Sequence, residues 1–366
     1  MTKPLDDIRV LDLSRLLPGP FATKLLQDMG AQVDKVEDPT AGDYLRDMPP
    51  RNAAGGNAAF DLLNRGKRSI VLDLKASEGR ASFLKLVARY DVVLESFRPG
   101  VMDRLGLGQD TLLAANPRLI TCAISGYGQD GPLAARASHD LNCLGRSGAL
   151  AFFGPSDGPP ALPGAQLADV GSAIYAALAI VAALRQRDRT NVGAYLDISM
   201  TESAASFSAF GFATRAGGVD PGRGRDILSG GFAVYRSYET LDARFVTLAS
   251  LEAKFWKRFC AGTGFEGTGM DLFPGPHQPA LMTRLEALFR TRTREEWTAF
   301  GAEHDCCLEP VLEPIEALED AQLRARKLFG ADLSVLSTPA APASEGNAPA
   351  RGQHTEEILR EAGVSA

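Results

Sequence analysis

IRVLDLSRLLPGPFATKLLQDMGAQVDKVE, residues 8–37, sets the fold. IRVLDLS (8–14) is a short β-rich run. Phe21, Leu25, Leu26 and Met29 then recur at helical spacing, and Gly30 is placed to end that helix. AQVDKVE (31–37) reads as the next strand. The alternation continues through SIVLDL (69–74), a helix capped by Ser77 that runs to about Tyr90, DVVLES (91–96) and LITCAIS (119–125). Repeated strand–helix alternation makes this an α/β chain with a mostly parallel sheet covered by helices. Ligands in such folds collect at the carboxyl ends of the strands. The loops after Ser14, Glu37, Ser96 and Ser125 should therefore border a binding crevice.

The texture changes near residue 225. FAVYRSYETLDARFVTLAS (232–250) reads as two strands joined at Leu241-Asp242-Ala243-Arg244, with helical segments following around 252–263 and 279–302. This suits a smaller α+β domain. Residues 337–353 are rich in Pro, Ala, Gly and Ser and read as a loop, and HTEEILREAG (354–363) as a short helix.

The 366 residues carry a formal charge of −6, with 45% hydrophobic and 23% charged side chains, as in ordinary soluble enzymes. That balance argues against a nucleic-acid partner, which needs a basic face. It leaves room for an anionic ligand held by a local Arg and Lys cluster. Five cysteines, at 122, 143, 260, 306 and 307, have no CxxC spacing. This is the usage of a reduced, cytoplasmic protein without a zinc site. The longest apolar run, Val170–Leu184, is shorter than a membrane span and reads as a buried core helix.

Two residues suggest acid–base chemistry. His139 lies in SHDLN, just after the Gly-rich GYGQDGP (126–132), and Asp169 lies in LADVG, at the head of the long apolar run. Asp169 reads equally as a helix N-cap. The backbone N–H groups beside it offer a place for a developing oxyanion. Asp140 either orients the imidazole or caps the next turn. Glu252, in SLEAK, reads alone as a first-turn helix Glu. NRGKRSIVLDLK (64–75) groups Arg65, Lys67, Arg68 and Lys75, and ESFRPG (95–100) adds Arg98 at a strand end. These are phosphate-binding candidates or a solvated edge. There is no Walker lysine loop and no HExxH.

With VLDLSRLLPGPFATKLLQDMGAQVDKVE, NRGKRSIVLDLK, ESFRPGVMDRLGLG, GYGQDGP, SHDLN, LADVG, YLDISMTESA (195–204) and GQHTEEILREAG (352–363) falling in order, the chain resembles the alpha-methylacyl-CoA racemase family, within the class III CoA-transferase superfamily. The resemblance implies a large Rossmann-like domain from both chain ends plus a small α+β central domain. On this sequence that means residues 1–190 for the large domain, a linker over 191–224, the small domain over 225–312 and a return segment over 313–366. It implies an interlocked homodimer and an acyl-CoA thioester substrate, with no membrane or nucleic-acid partner, no metal, and no cofactor beyond the CoA of the substrate. His139 and Asp169 match the acid–base residues and Glu252 the carboxylate supporting the His. Arg98, Lys67 and Lys75 fall in blocks that contact CoA, and Asp140 is grouped with them.

The implied reaction is epimerisation at the α-carbon of a 2-methylacyl-CoA, by deprotonation and reprotonation through an enolate. In the CoA-transferase branch the Asp at the position of Asp169 is a nucleophile that forms an acyl anhydride and then a CoA thioester. That branch generally lacks the HD pair, so His139 and Glu252 favour the racemase. A non-catalytic acyl-CoA-binding homologue is the third alternative. Two positions depart from the racemase pattern: Gly171-Ser172-Ala173 replaces a glycine run, and Cys143 replaces an aromatic residue.

Overall fold

The computed structural model describes residues 3–52, 55–220 and 222–364. The chain forms two compact units: Met1–Ser147, Ala165–Phe207 and Leu318–Ala366 make the first, and Gly148–Gly164 with Ser208–Ala317 the second.

The first unit is built on six parallel strands: β1 (Arg9–Asp12), β2 (Gln32–Glu37), β3 (Arg68–Val71), β4 (Val92–Glu95), β5 (Ile120–Ser125) and β6 (Ala194–Ser199). Their order is β3-β2-β1-β4-β5-β6, the order of dinucleotide-binding folds. The chain direction of the winding reverses between β1 and β4, which pair through Val10–Val92, Leu11–Val93 and Asp12–Leu94. Connections leave these two strands toward opposite sides, opening a crevice at their carboxyl ends. Every residue of β4 and β5 is buried, as expected for central parallel strands covered on both faces.

The span 191–224 is not a linker. It holds the edge strand β6 and the helices Met200–Ser206 and Ala209–Ala216, and the boundary between units falls after Phe207. β6 pairs only with β5, so Tyr195 and Asp197 are left exposed, and no continuous apolar run marks it. Residues 148–164 also belong to the second unit rather than to the large N-terminal domain. Ser77 is not a cap but the first residue of its helix, Ser77–Val87, with Ala76 in the N-cap position.

Helix Leu167–Thr190 is long and apolar enough to cross a membrane, and half of its apolar window is buried in the protein. Ala173, Ala176, Ala177 and Ala183 are buried and let it approach helix Pro18–Asp28 closely. Ile174, Tyr175, Leu178 and Val181 on the other side are exposed. The expected buried core helix is therefore buried along one side only.

The C-terminal segment returns to the first unit. Ile358 is buried in the core. Arg68 is paired with Asp34, Glu357 and Glu361, and the Ser69 N–H donates to His354 Nδ1. The second unit carries an antiparallel sheet, β7 (Tyr235–Glu239), β8 (Phe245–Ala249) and β9 (Leu308–Pro310). Trp256, Phe259, Phe289, Trp297 and Phe300 form its aromatic core. The helical region 279–302 is two helices, Gln278–Phe289 and Arg294–His304. Thr293 starts the second by accepting the Glu296 N–H while the Glu296 carboxylate accepts the Thr293 N–H.

Lys67 corrects an expectation. Its side chain is wholly buried at 3.1 Å from Asp12 Oδ2. It also donates to the Pro20 carbonyl, Thr23 Oγ1 and Asn64 Oδ1 at 3.0, 2.7 and 3.0 Å. An ammonium has three protons, so none is left for a ligand. Burial pushes the Asp12 carboxyl up, but the Lys67 and Lys35 charges with hydrogen bonds from Ser14 and Thr23 hold it below the usual range. Replacing Lys67 by Met strands the Asp12 charge, and breaking such a buried pair costs about 3–5 kcal/mol. The exposed Lys75→Met change should cost less than about 0.5 kcal/mol. Urea unfolding of the two variants checks this contrast; similar midpoints would return Lys67 to the list of ligand contacts.

Candidate active site

A cavity of about 520 Å³ lies in the first unit at the carboxyl ends of β1, β4 and β5. Arg15 enters it from the loop after β1, Phe97 and Arg98 from the loop after β4, and Ser125 from the end of β5. Tyr44 adds the segment after β2, so all four connections expected to border a crevice contribute. His139 and Asp169 line the same cavity. Arg15, Arg98 and Arg136 give its wall a positive bias despite the negative net charge of the chain.

His139 is brought there by a close approach of backbone segments. The loop carrying it passes the end of β5 at Gly126, where a Cβ would lie 1.8 Å from Ser138 Oγ. Cys143 Sγ donates to the Gly126 carbonyl at 3.4 Å. The cysteine that replaces an aromatic residue thus fastens this crossing. His139 occupies the N-cap position of helix Asp140–Arg146 in an extended conformation, and its N–H donates to Asn142 Oδ1 at 3.0 Å. The residue is exposed.

Asp169 is not the N-cap of its helix. Helix Leu167–Thr190 starts two residues earlier, and Gln166 in the N-cap position makes no side-chain cap bond. The capping acceptor is Asp140, whose Oδ1 takes the N–H groups of Ala168 and Asp169 at 2.7 and 3.1 Å. Asp140 therefore serves the start of the long helix, and it is not among the residues lining the cavity. Its charge acts on its neighbour. Burial, reinforced by the Asp140 charge, pushes the Asp169 carboxyl from 3.8 up to about 7. A carboxyl in that range exchanges protons readily near neutrality.

The altered residues after Asp169 also have structural causes. Gly171, the glycine that is kept, faces the exposed Phe207 ring, which a Cβ 2.4 Å away would have to displace. Ser172 is fully buried and donates to the Asp169 carbonyl at 2.9 Å.

Arg98 is exposed on the cavity wall. Lys75 lines a second cavity, of about 330 Å³, at the ends of β2 and β3. Its ammonium stands 4.0 Å from Asp38 Oδ2. Arg15, Phe97 and Val101 belong to both cavities, which therefore adjoin. Arg65 and Arg68, grouped with Lys75 in the sequence, are engaged elsewhere: Arg65 with the Gly346 carbonyl, Arg68 with three carboxylates. Glu252 is exposed in the second unit, in the N-cap position of helix Ala253–Thr263, and makes no side-chain cap bond.

Arg15, Arg136 and Ser125 were not singled out from the sequence. Arg15 was findable, because it directly follows the first strand in a loop expected to face ligand. A larger cavity in the second unit, about 760 Å³, has no carboxylate, imidazole or thiol in its lining. Its hydroxyls, on Ser156, Ser229, Ser237 and Tyr235, have no acid–base group beside them in the lining.

A family model described as CoA-transferase family III matches residues 5–359. The chain is 36% identical over 374 residues to the alpha-methylacyl-CoA racemase of Mus musculus, covering 99% of this chain and 94% of that protein. It is 33% identical over 391 residues to a succinyl-CoA:mesaconate CoA-transferase of Haloarcula hispanica, covering 98% and 96%. Among solved structures, a CAIB/BAIF family protein from Brucella suis superposes with a TM-score of 0.86 at 29% identity, covering 99% of this chain and 100% of that one.

The raised Asp169 carboxyl makes a pH-dependent stability prediction. The folded protein holds this proton up to about pH 7, whereas the unfolded chain releases it near 3.8. Its stabilising contribution is present below pH 3.8 and is lost as pH rises toward 7. Asp169→Asn removes that loss, by up to roughly 1.4 kcal/mol per pH unit across the window. The variant should therefore gain thermal stability over the wild type with rising pH and hold a constant gain above 7. Equal melting profiles from pH 4 to 8 would contradict the shifted carboxyl. Asp140→Asn keeps an acceptor for the helix start but removes the charge. NMR titration of Asp169 in that variant should show a lower pKa.

Proposed function

This chain belongs to CoA-transferase family III, and from that premise we propose that it epimerises 2-methylacyl-CoA thioesters at the α-carbon. The observation that carries this reading is the meeting of His139 and Asp169 in one cavity, with the Asp169 carboxyl raised to about 7. The α-proton is far less acidic than the conjugate acid of either side chain. One base takes it as the C–H electron pair moves toward the thioester oxygen. The other base returns a proton to the opposite face of the planar enolate. His139 serves one epimer and Asp169 the other, so each starts a turnover in the protonation state opposite to its partner's. A carboxyl near 7 suits both states at neutral pH.

The adjoining cavities support an extended anionic ligand. The reacting acyl group lies beside His139 and Asp169, and the nucleotide end of CoA lies toward Lys75 and Arg15. Arg98, at the wall of the first cavity, holds a phosphate or the pantetheine arm. Remote binding energy from CoA then positions the α-carbon. Lys67 has no part in this scheme. Glu252 takes the role of the carboxylate supporting the imidazole, and the enzyme acts as a homodimer. The exposed Ile174, Tyr175, Leu178 and Val181 stripe supports an association surface of that kind.

The second reading is CoA transfer between carboxylic acids, with Asp169 as the nucleophile. It is favoured by the Haloarcula relative and by the placement of the Asp169 carboxyl in the cavity. A nucleophile must be anionic, and burial with the Asp140 charge disfavours the Asp169 anion.

Incubation with each epimer of a 2-methylacyl-CoA in deuterium oxide separates the readings. Racemisation predicts deuterium at the α-carbon from both epimers. His139→Ala should slow that exchange by roughly 10²–10⁴-fold. An absence of wash-in, together with a hydroxylamine-sensitive acyl adduct on Asp169, would decide for transfer.

A further inference from the structure

Charge collects on the thioester oxygen as the α-proton leaves, and the site must supply a donor there. The start of helix Leu167–Thr190 was the expected source. Three of its first N–H groups are already engaged. Ala168 and Asp169 donate to Asp140 Oδ1, and Val170 donates to the Gln166 carbonyl at 3.0 Å. On the β4 side of the cavity, the Ser96 hydroxyl accepts the Arg15 N–H at 3.4 Å, and it is only half-buried, so water competes for its proton. Arg98 and Arg136 are exposed, where water screens their charge.

Ser125 differs from all of these. It is the last residue of β5, paired in register with Ser199 of β6. It lines the cavity with His139 and Asp169 and is only 8% exposed. Its hydroxyl is buried and has no hydrogen-bond partner among the described residues. The backbone beside it is held firmly. The Gly126 carbonyl accepts from the Thr201 N–H at 3.1 Å, Thr201 Oγ1 at 2.7 Å and Cys143 Sγ at 3.4 Å. A buried hydroxyl without a partner weakens the fold. Rotation of χ1 between staggered wells redirects the hydroxyl without moving the backbone.

We propose that Ser125 is a catalytic hydrogen-bond donor whose hydroxyl engages the substrate thioester oxygen as the α-carbon is deprotonated. This rests on the epimerase reading of the site. The α C–H bond breaks and its proton passes to His139 or Asp169. The electron pair enters the Cα–C bond as the carbonyl pair moves onto oxygen, where the Ser125 O–H donates. The serine keeps its proton, and reprotonation of the α-carbon reverses the shift. Such a donor acts on the transition state more than on bound substrate.

The test is deuterium wash-in with purified full-length enzyme and a 2-methylacyl-CoA, read as kcat and KM beside the melting temperature. Ser125→Ala should lower kcat roughly 10²-fold. KM should stay within about twofold, because ground-state binding is spared. The melting temperature should hold or rise, because an unpartnered hydroxyl is gone. Ser125→Cys nearly preserves volume but donates weakly, so it should show the same loss of kcat and excludes a cavity effect. If the wild type exchanges and Ser125→Ala matches it, the assignment is overturned. A loss of kcat that comes with an equal fall in melting temperature also overturns it, in favour of a structural role. If the wild type itself exchanges nothing, the epimerase reading fails, and the Ser125 role falls with it.

Discussion

A buried lysine–aspartate pair at the carboxyl end of β1 anchors the crevice. Asp12 accepts from Lys67, Thr23 and Ser14, and Lys67 reaches back to the Pro20 carbonyl. Beside it Lys35 of β2 pairs with Asp43 at 2.9 Å and donates to the Ser14 carbonyl at 2.8 Å. Charges taken out of water cost several kcal/mol each unless geometry and further hydrogen bonds offset them. That cost is what makes the arrangement specific. The ends of β1, β2 and β3 and the first turns of helix Pro18–Asp28 must meet in one register, because any slip leaves a charge unpaired. Arg15 enters the cavity directly from this locked corner.

The second constraint is a division of labour between two aspartates. A long helix needs an acceptor for its first N–H groups, and Asp140 supplies it from another segment. Asp169 is thereby released from capping. The same bond keeps the Asp140 charge close to Asp169, which adds to burial in raising its carboxyl. One contact thus fastens the His139 loop to the long helix and tunes the acid–base group. It also occupies the Ala168 and Asp169 N–H groups, two donors that would otherwise be open to an oxyanion.

Much of the first unit was legible because central parallel strands are buried on both faces and read as short apolar runs. β1, β4 and β5 fall where those runs stand, and β2, QVDKVE, follows as the next strand of the alternation. β6 was passed over because it is an edge strand with Tyr195 and Asp197 exposed, and β9 because it is only three residues long. The segment 148–164 was given to the wrong unit, since membership depends on packing with residues after 208. The basic cluster at 64–75 shows the limit more sharply. Lys67, Arg68 and Lys75 are equivalent as charges in a string. Folding makes the first a core ion pair, the second a clasp for the C-terminal helix and the third an exposed cation.

The alternation of the central strands with helices, the location of the ligand-facing loops and the choice of His139 and Asp169 as chemistry-bearing residues were decided by the sequence itself. Hydrophobic period, turn chemistry and residue type are written along the chain and need no partner to be read. What Asp169, Asp140, Lys67 and Ser125 each do was decided by packing. A carboxylate can cap a helix, exchange a proton or attack a carbonyl, and an ammonium can bind phosphate or fill a core. The choice follows from dielectric, neighbouring charge and which hydrogen-bond partners are already taken, and these exist only once distant segments meet.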